Sequence, residues 1–301
     1  MERNFRAMLE EQWSKGKFVC VGLDSELSRM PPHLLLIGDD LLGNAPYGQN
    51  LEVVLEFNRK IIEATQDIVC AYKPNIAFYE QHGPTGMSLL WRTINLILET
   101  APEVPVILDA KRADIGNTNK GYAKMAFEYF KADALTVNPY FGGSALQPFL
   151  DRKEKGIIVL CRTSNPGAGE FQSKWLGEDK PLYQEVAYRV SRDWNVNNNC
   201  ALVVGATAPA ELAEVREVVD DMPILIPGIG TQGGDLDLAV RAGRDKRGRG
   251  MIINSSSAIL FASSGEDFAD VARQETEKLN KAITTALLQP DKPRKVGELW
   301  T

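Results

Sequence analysis

Histidine is nearly missing from this sequence. His33 and His82 stand far apart, each in a polar stretch beside Pro or Gly. A His-based metal centre or a Ser-His-Asp triad is therefore poorly supplied. Cysteine is scarce as well: Cys20, Cys70, Cys161 and Cys200 lie in or beside apolar runs, with no CxxC spacing. They read as buried thiols of a reducing compartment, not as a disulfide framework. No stretch approaches the roughly 18 consecutive apolar residues that a membrane helix needs, and the opening Met1-Glu2-Arg3-Asn4-Phe5 lacks the basic-then-apolar layout of a secretory leader. Positive charge is not in excess either, with 34 Lys+Arg against 40 Asp+Glu and a formal charge of −6. That balance lacks the positive field of a nucleic-acid coat, although an acidic chain can still grip an anion locally. The expectation is a cytoplasmic, soluble protein with neither nucleic acid nor membrane as partner.

What is present is an ordinary globular balance, 44% hydrophobic and 25% charged residues over 301 positions. Short Val/Ile-rich runs occur at 18–24, 68–75, 104–111, 134–140, 156–164, 201–207, 223–230 and 250–257. They are continuous rather than alternating, the pattern of parallel strands covered on both faces. Between and after them lie amphipathic helical patterns at 51–66, 85–100, 118–131, 143–153, 182–195, 208–220, 233–243 and 267–288. Strict alternation implies right-handed crossovers. Eight such units fit a closed (β/α)8 TIM barrel better than an open doubly wound sheet. The reading is one domain over 1–301, with its barrel core at about 18–287 and an extra N-terminal helix at 3–15 covering one end. The long connections 25–50 and 165–181 both follow strands, so both rise from the C-terminal face, where barrel active sites lie.

Polar residues at strand ends are then the candidates. Strand 1 ends in Asp24, strand 2 in Lys73, and strand 3 in Asp109-Ala110-Lys111. Asp109 and Lys111, two apart, project from the same side of their strand, and Asp114 follows in the loop. These five residues on three consecutive strand ends are more than a rim ion pair needs. After strand 7, the glycine-rich run from Pro227 through Gln232 and Gly233 to Gly234 stands where barrels commonly bind phosphate through backbone N–H groups. Strand 5 ends in Arg162-Thr163-Ser164-Asn165, groups suited to the edge of a heterocycle and equally to a capped turn.

The run LDAKRADIGNT at 108–118 resembles the D-x-K-x-x-D signature of orotidine 5′-phosphate decarboxylases, and GLD (22–24), YKPN (72–75), TSNPG (163–167) and PGIGTQGG (227–234) match that family's other blocks in order. The resemblance covers about 18–287, and the long loops are similar to the longer bacterial-type branch. It implies decarboxylation of orotidine 5′-phosphate to uridine 5′-phosphate in de novo pyrimidine synthesis, without metal or organic cofactor. By that resemblance Asp24 and Lys73 hold ribose hydroxyls, with Lys73 opening the charged chain. Asp109 lies beside the substrate carboxylate, and Lys111 protonates C6. Asp114 and Thr118 match positions given to a partner subunit's site, implying a homodimer. Ser164 contacts the pyrimidine, while Pro227, Gln232 and Gly233 belong to the segment that closes over the phosphate. The same block also resembles metal-dependent hexulose-phosphate synthases, which carry a ligating Glu at the end of strand 2. Lys73 stands there instead, and a protonated lysine cannot ligate a divalent ion.

One departure stands out. The family ends strand 8 with an Arg that clamps the phosphate, in a motif like NSSR, whereas this chain reads Asn254-Ser255-Ser256-Ser257. Loss of a bidentate guanidinium forfeits charge-assisted bonds worth roughly 1.5–3 kcal/mol each. Arg241, Arg244, Lys246, Arg247 and Arg249 precede strand 8 and so belong to the opposite face, as a solvated charged loop. Either the phosphate grip is weakened or another group has taken over. The alternative is a catalytically silent nucleotide-binding barrel or assembly partner; the Asp109–Lys111–Asp114 array speaks for catalysis.

Overall fold

A computed structural model describes residues 3–38, 51–229 and 234–289. Its main sheet contains eight parallel strands: β1 (Val19–Gly22), β2 (Ala71–Lys73), β3 (Ile107–Arg112), β4 (Ala134–Val137), β5 (Gly156–Arg162), β6 (Cys200–Val204), β7 (Ile224–Ile226) and β8 (Met251–Ser255). Each falls on one of the apolar runs read from the sequence, with the end of β3 one residue beyond its run and the start of β6 one residue before. The hydrogen-bonded order runs β2-β1-β8-β7-β6-β5-β4-β3. Parallel bridges Tyr72↔Val106 and Asn75↔Asp109 join the two outer strands. That closure makes the sheet a TIM barrel and removes the open-sheet alternative.

The strand interiors are buried on both faces because helices coat the outside while Val, Ile and Leu side chains fill the inside. The helical patterns form as expected, at Glu52–Thr65, Gly83–Thr100, Gly116–Lys124, Gly142–Leu150, Leu182–Arg189, Pro209–Val219, Leu236–Gly243 and Phe268–Leu288. Two of them continue into π-helical turns, Met125–Tyr129 and Val190–Trp194. The helix expected from 233 starts at Leu236 instead, because the Asp235 side chain accepts the Leu238 N–H and fixes its first turn. The connection 165–181 folds into a 3-10 turn, Pro166–Glu170, and a two-stranded ribbon pairing Trp175–Leu176 with Lys180–Pro181.

The N-terminal helix, Phe5–Ser14, plugs the end of the barrel where the strands begin. Trp13 Nε1 donates to the Met251 carbonyl at 2.8 Å, Gln12 to the Glu103 carbonyl at 2.9 Å, and the Phe5 N–H to the Glu154 carbonyl at 2.9 Å. At the same end Arg216 is buried and bonds the carbonyls of Gly243, Asp220, Met222 and Gly250. The basic cluster also lies here. Arg247 meets Asp245 at 2.7 Å and Glu10 at 3.0 Å, Arg249 meets Glu10 at 3.6 Å, and Lys246 meets Asp220 at 3.4 Å. It is thus a paired network on the N-terminal face more than a merely solvated loop. The four cysteines are buried and unbridged, and burial pushes the thiols of Cys20, Cys161 and Cys200 up to about 12. Among the described residues, no helix is long and apolar enough to cross a membrane.

Candidate active site

At the C-terminal ends of the strands a cavity of about 630 Å³ opens. Asp24, Lys73, Asp109, Lys111, Ser164, Pro227 and Ser257 all line it. Chain continuity explains the convergence, since each of these residues follows or ends a barrel strand. The approach of β1 to β8 requires glycine at 22, because a Cβ there would stand 1.9 Å from Ser256 Oγ. Likewise a Cβ on Gly205, just after β6, would stand 2.7 Å from the Ser164 Cα.

The centre of the array is Asp109. Its Oδ2 accepts from Lys73 Nζ at 3.1 Å and its Oδ1 from Lys111 Nζ at 2.7 Å. Lys73 also faces Asp24 at 3.9 Å. Burial alone would raise the Asp109 carboxyl, but Lys73 and Lys111 outweigh it and hold the group well below the usual carboxylate range. Burial would likewise strip the proton from Lys73; Asp109 and Asp24 reverse that and hold its ammonium above the ordinary lysine value. Lys73 is only 4% exposed, whereas the Lys111 side chain is half exposed to the cavity. One ammonium is locked and the other can reach a ligand.

Lys111 does not reach this position by regular strand geometry. The β3–β4 register shifts between Leu108 and Arg112, and Lys111 adopts φ +47°, a left-handed conformation that a non-glycine residue holds only when its surroundings impose it. Thr136 imposes it. Its Oγ1 accepts the N–H groups of Ala110 and Lys111, both at 2.9 Å, and donates to Asp109 Oδ1 at 2.9 Å. Sequence reasoning passed over Thr136, whose only signal was a hydroxyl inside the apolar run ALTV. Asn75 and Asn254 stand inside recognised motifs without a role, and Gln172 and Arg29 carry no signal; all four line the same cavity. Gln172 folds the 165–181 connection back, its Oε1 accepting the Thr163 N–H at 2.8 Å.

Two expected residues stand elsewhere. Asp114 and Thr118 are absent from the cavity of their own chain. Thr118 is exposed, and Asp114 Oδ1 accepts the neighbouring Ile115 N–H at 2.6 Å. The array around Lys111 is therefore Asp24–Lys73–Asp109–Lys111, without Asp114 from the same chain. Strand β8 ends at Ser255, and Ser257 opens the short helix Ser257–Leu260, so it lies at the cavity mouth two residues past the strand. Gln232 and Gly233 lie outside the described residues. No cluster of three or more His, Cys, Asp or Glu with metal-holding geometry occurs among the described residues.

Residues 17–270 match the family described as Orotidine 5′-phosphate decarboxylase / HUMPS family. The chain belongs to that family. An orotidine 5′-phosphate decarboxylase of Azoarcus sp. (strain BH72) is 46% identical over 281 residues, 93% of this chain and 98% of that one. One of Ralstonia pickettii (strain 12J) is 48% identical over 272 residues, 90% and 94% of the two chains. Among solved structures, the OMP decarboxylase of Leishmania donovani superposes with a TM-score of 0.76 at 35% identity, covering 92% of this chain and 99% of its own. Membership in the orotidine 5′-phosphate decarboxylase family gives the cavity its chemical frame: the D-x-K-x-x-D block supplies Asp109 and Lys111 to it, and Lys73 fills the end of β2.

Proposed function

We propose that this chain decarboxylates orotidine 5′-phosphate to uridine 5′-phosphate, with Lys111 as the proton donor. The observation that carries the reading is the Lys73–Asp109–Lys111 array, which sets a half-exposed ammonium against a buried, ionised carboxylate in a cavity of nucleotide size. Loss of CO₂ from C6 breaks the ring carbon–carboxylate bond and leaves its electron pair on an sp² carbon with little delocalisation. A fixed cation at that carbon stabilises the developing charge and then transfers its proton there. Asp109, beside the substrate carboxylate, sets like charges together until CO₂ departs; preorganisation and ground-state destabilisation are two descriptions of that effect. Asp24 Oδ1 is buried without a hydrogen-bond partner, an acceptor suited to a ribose hydroxyl. Lys73 stays protonated, so the end of β2 offers an ammonium rather than a metal ligand. The remote phosphate supplies binding energy that positions the ring. The test is ultraviolet detection of orotidine 5′-phosphate consumption in chelator-treated buffer. Binding of the nucleotide without turnover would favour the silent-barrel reading.

We further propose that the working unit is a homodimer in which Asp114 and Thr118 serve the partner's cavity. The loop after β3 exposes Ile115 (64%), and the one after β4 exposes Tyr140 (92%) and Phe141 (50%). Asn119 Nδ2 ties this rim together by donating to the carbonyls of Asp114 at 2.5 Å and of Ala145 at 2.7 Å. An apolar rim carrying residues that miss their own cavity is suited to a self-complementary contact. Asp114→Ala and Lys111→Ala chains, each inactive alone, are expected to recover about a quarter of the parental activity after random exchange of equal amounts, because one site of each heterodimer is wholly unmutated. No recovery despite demonstrated exchange would place Asp114 in the site of its own chain.

A further inference from the structure

Ser257 lines the cavity beside Pro227, Gly228 and Ile229, at the position where the sequence motif leads to the expectation of an arginine, yet a guanidinium is present from another direction. Arg29, in the 3-10 turn Leu27–Arg29 after β1, lines the same cavity as Ser257, Pro227, Gly228 and Ile229. We propose that Arg29 is the cation that binds the substrate phosphate in this protein, replacing from the β1 side what the β8 side lacks.

Four observations converge on it. First, the cations lining the cavity among the described residues are Arg29, Lys73 and Lys111; Lys73 is locked on Asp109, and Lys111, paired with Asp109, is the group assigned to the reacting carbon. Second, Arg29 is near Ser257. Its guanidinium carbon lies 3.9 Å from the centre of the Phe261 ring, and the Phe261 N–H donates to the Ser257 carbonyl at 3.1 Å. The ring that carries the guanidinium is thus one helical turn from Ser257.

Third, the platform is rigid. Phe261 stacks on Phe57 with centroids 5.7 Å apart, and Phe57 stacks on Phe268 at 4.9 Å. Phe57 and Phe268 are buried, so a core aromatic column orients a side chain that would otherwise sample many rotamers. Fourth, the guanidinium keeps donor capacity. Among the described residues its one hydrogen bond goes from Nη1 to Glu26 at 3.3 Å, an exposed contact of the kind that contributes little. A dianionic phosphate outcompetes that single carboxylate and takes the planar N–H pair in bidentate fashion.

The inference rests on the reading of the substrate as a nucleoside 5′-phosphate, and the experiment separates the two. Arg29→Gln and Ser257→Arg are made singly and together. Each is assayed with orotidine 5′-phosphate and phosphate-free orotidine, and each is titrated calorimetrically with uridine 5′-phosphate and uridine. Arg29→Gln is expected to lower kcat/KM for the phosphorylated substrate about 30- to 100-fold and to weaken uridine 5′-phosphate by a similar factor. Orotidine and uridine should be unaffected. Ser257→Arg should add less than about tenfold to the parent, which already holds a cation, but restore most of the loss in the Arg29→Gln background. An unchanged response of Arg29→Gln to both phosphates would overturn the proposal. So would equal losses with phosphorylated and phosphate-free ligands, which would mark Arg29 as a structural prop of Phe261. A parent that binds uridine 5′-phosphate through Arg29 but consumes no substrate would overturn the decarboxylase reading and leave the phosphate site standing.

Discussion

Lys111→Ala is expected to lower kcat by about 10⁴-fold or more while sparing both the fold and nucleotide binding. The estimate joins two effects in one group: general acid catalysis typically supplies about 10²–10⁴-fold, and a fixed charge at the developing carbanion about 10²–10³-fold more. The fold is spared because the Lys111 side chain is half exposed and Asp109 retains Lys73 as a partner. Single-turnover measurement with uridine 5′-phosphate affinity as the control separates chemistry from binding. Residual activity within tenfold of the parent would remove Lys111 from the role of proton donor.

Asp109→Asn is expected to damage stability and chemistry together. Lys73 is 4% exposed, and its remaining carboxylate, Asp24, is 3.9 Å away. Removing one partner of a buried pair leaves an uncompensated charge, at a cost of about 3–5 kcal/mol. Thermal unfolding should therefore fall by roughly 6–20 °C, at about 2–4 °C per kcal/mol. The pH profile carries the signature. Asp109 is held below its ordinary value, so its contribution is present above about pH 4 and disappears as pH falls through the native-state value. Lys73 is held above its ordinary value, so its contribution is present below about pH 10 and disappears as pH rises through the native-state value. Parent and variant should differ by a constant amount from about pH 5 to 10 and converge in acid. A difference that persists unchanged at pH 1 would sink the electrostatic account. Activity should fall by at least about 10³-fold, because Lys111 loses the carboxylate that orients its ammonium.

The barrel was legible in the sequence because parallel strands buried on both faces leave continuous apolar runs, and a strand falls on each of the eight runs. Asp24, Lys73, Asp109 and Lys111 were legible for a related reason, since the topology sends every strand end to one face. Arg29 could not be read that way. It reaches the cavity from a turn five residues past Asp24, and its position depends on the ring of Phe261, over two hundred residues on. Thr136 was hidden differently: a threonine in a strand carries no mark that its hydroxyl will take two amides from a neighbouring strand's bulge. The pattern at 233–243 yields a helix only from Leu236, because glycines mark a turn without marking where Asp235 will cap.

The plug at the N-terminal end of the barrel bears on the order of assembly. Trp13 is made before any of the eight strands, yet the carbonyl that receives its indole N–H belongs to Met251, 238 positions later and in the last strand to emerge. Gln12 and Phe5 wait similarly for Glu103 and Glu154. On a ribosome the Trp13 contact must therefore wait through nearly all of translation, even though the partners of Gln12 and Phe5 are made by mid-chain. Contacts of such long sequence separation add their stability only after the chain between them has been ordered. The helix ahead of β1 is in this sense the latch of the barrel, and its Trp13 closes only when strand eight is in place.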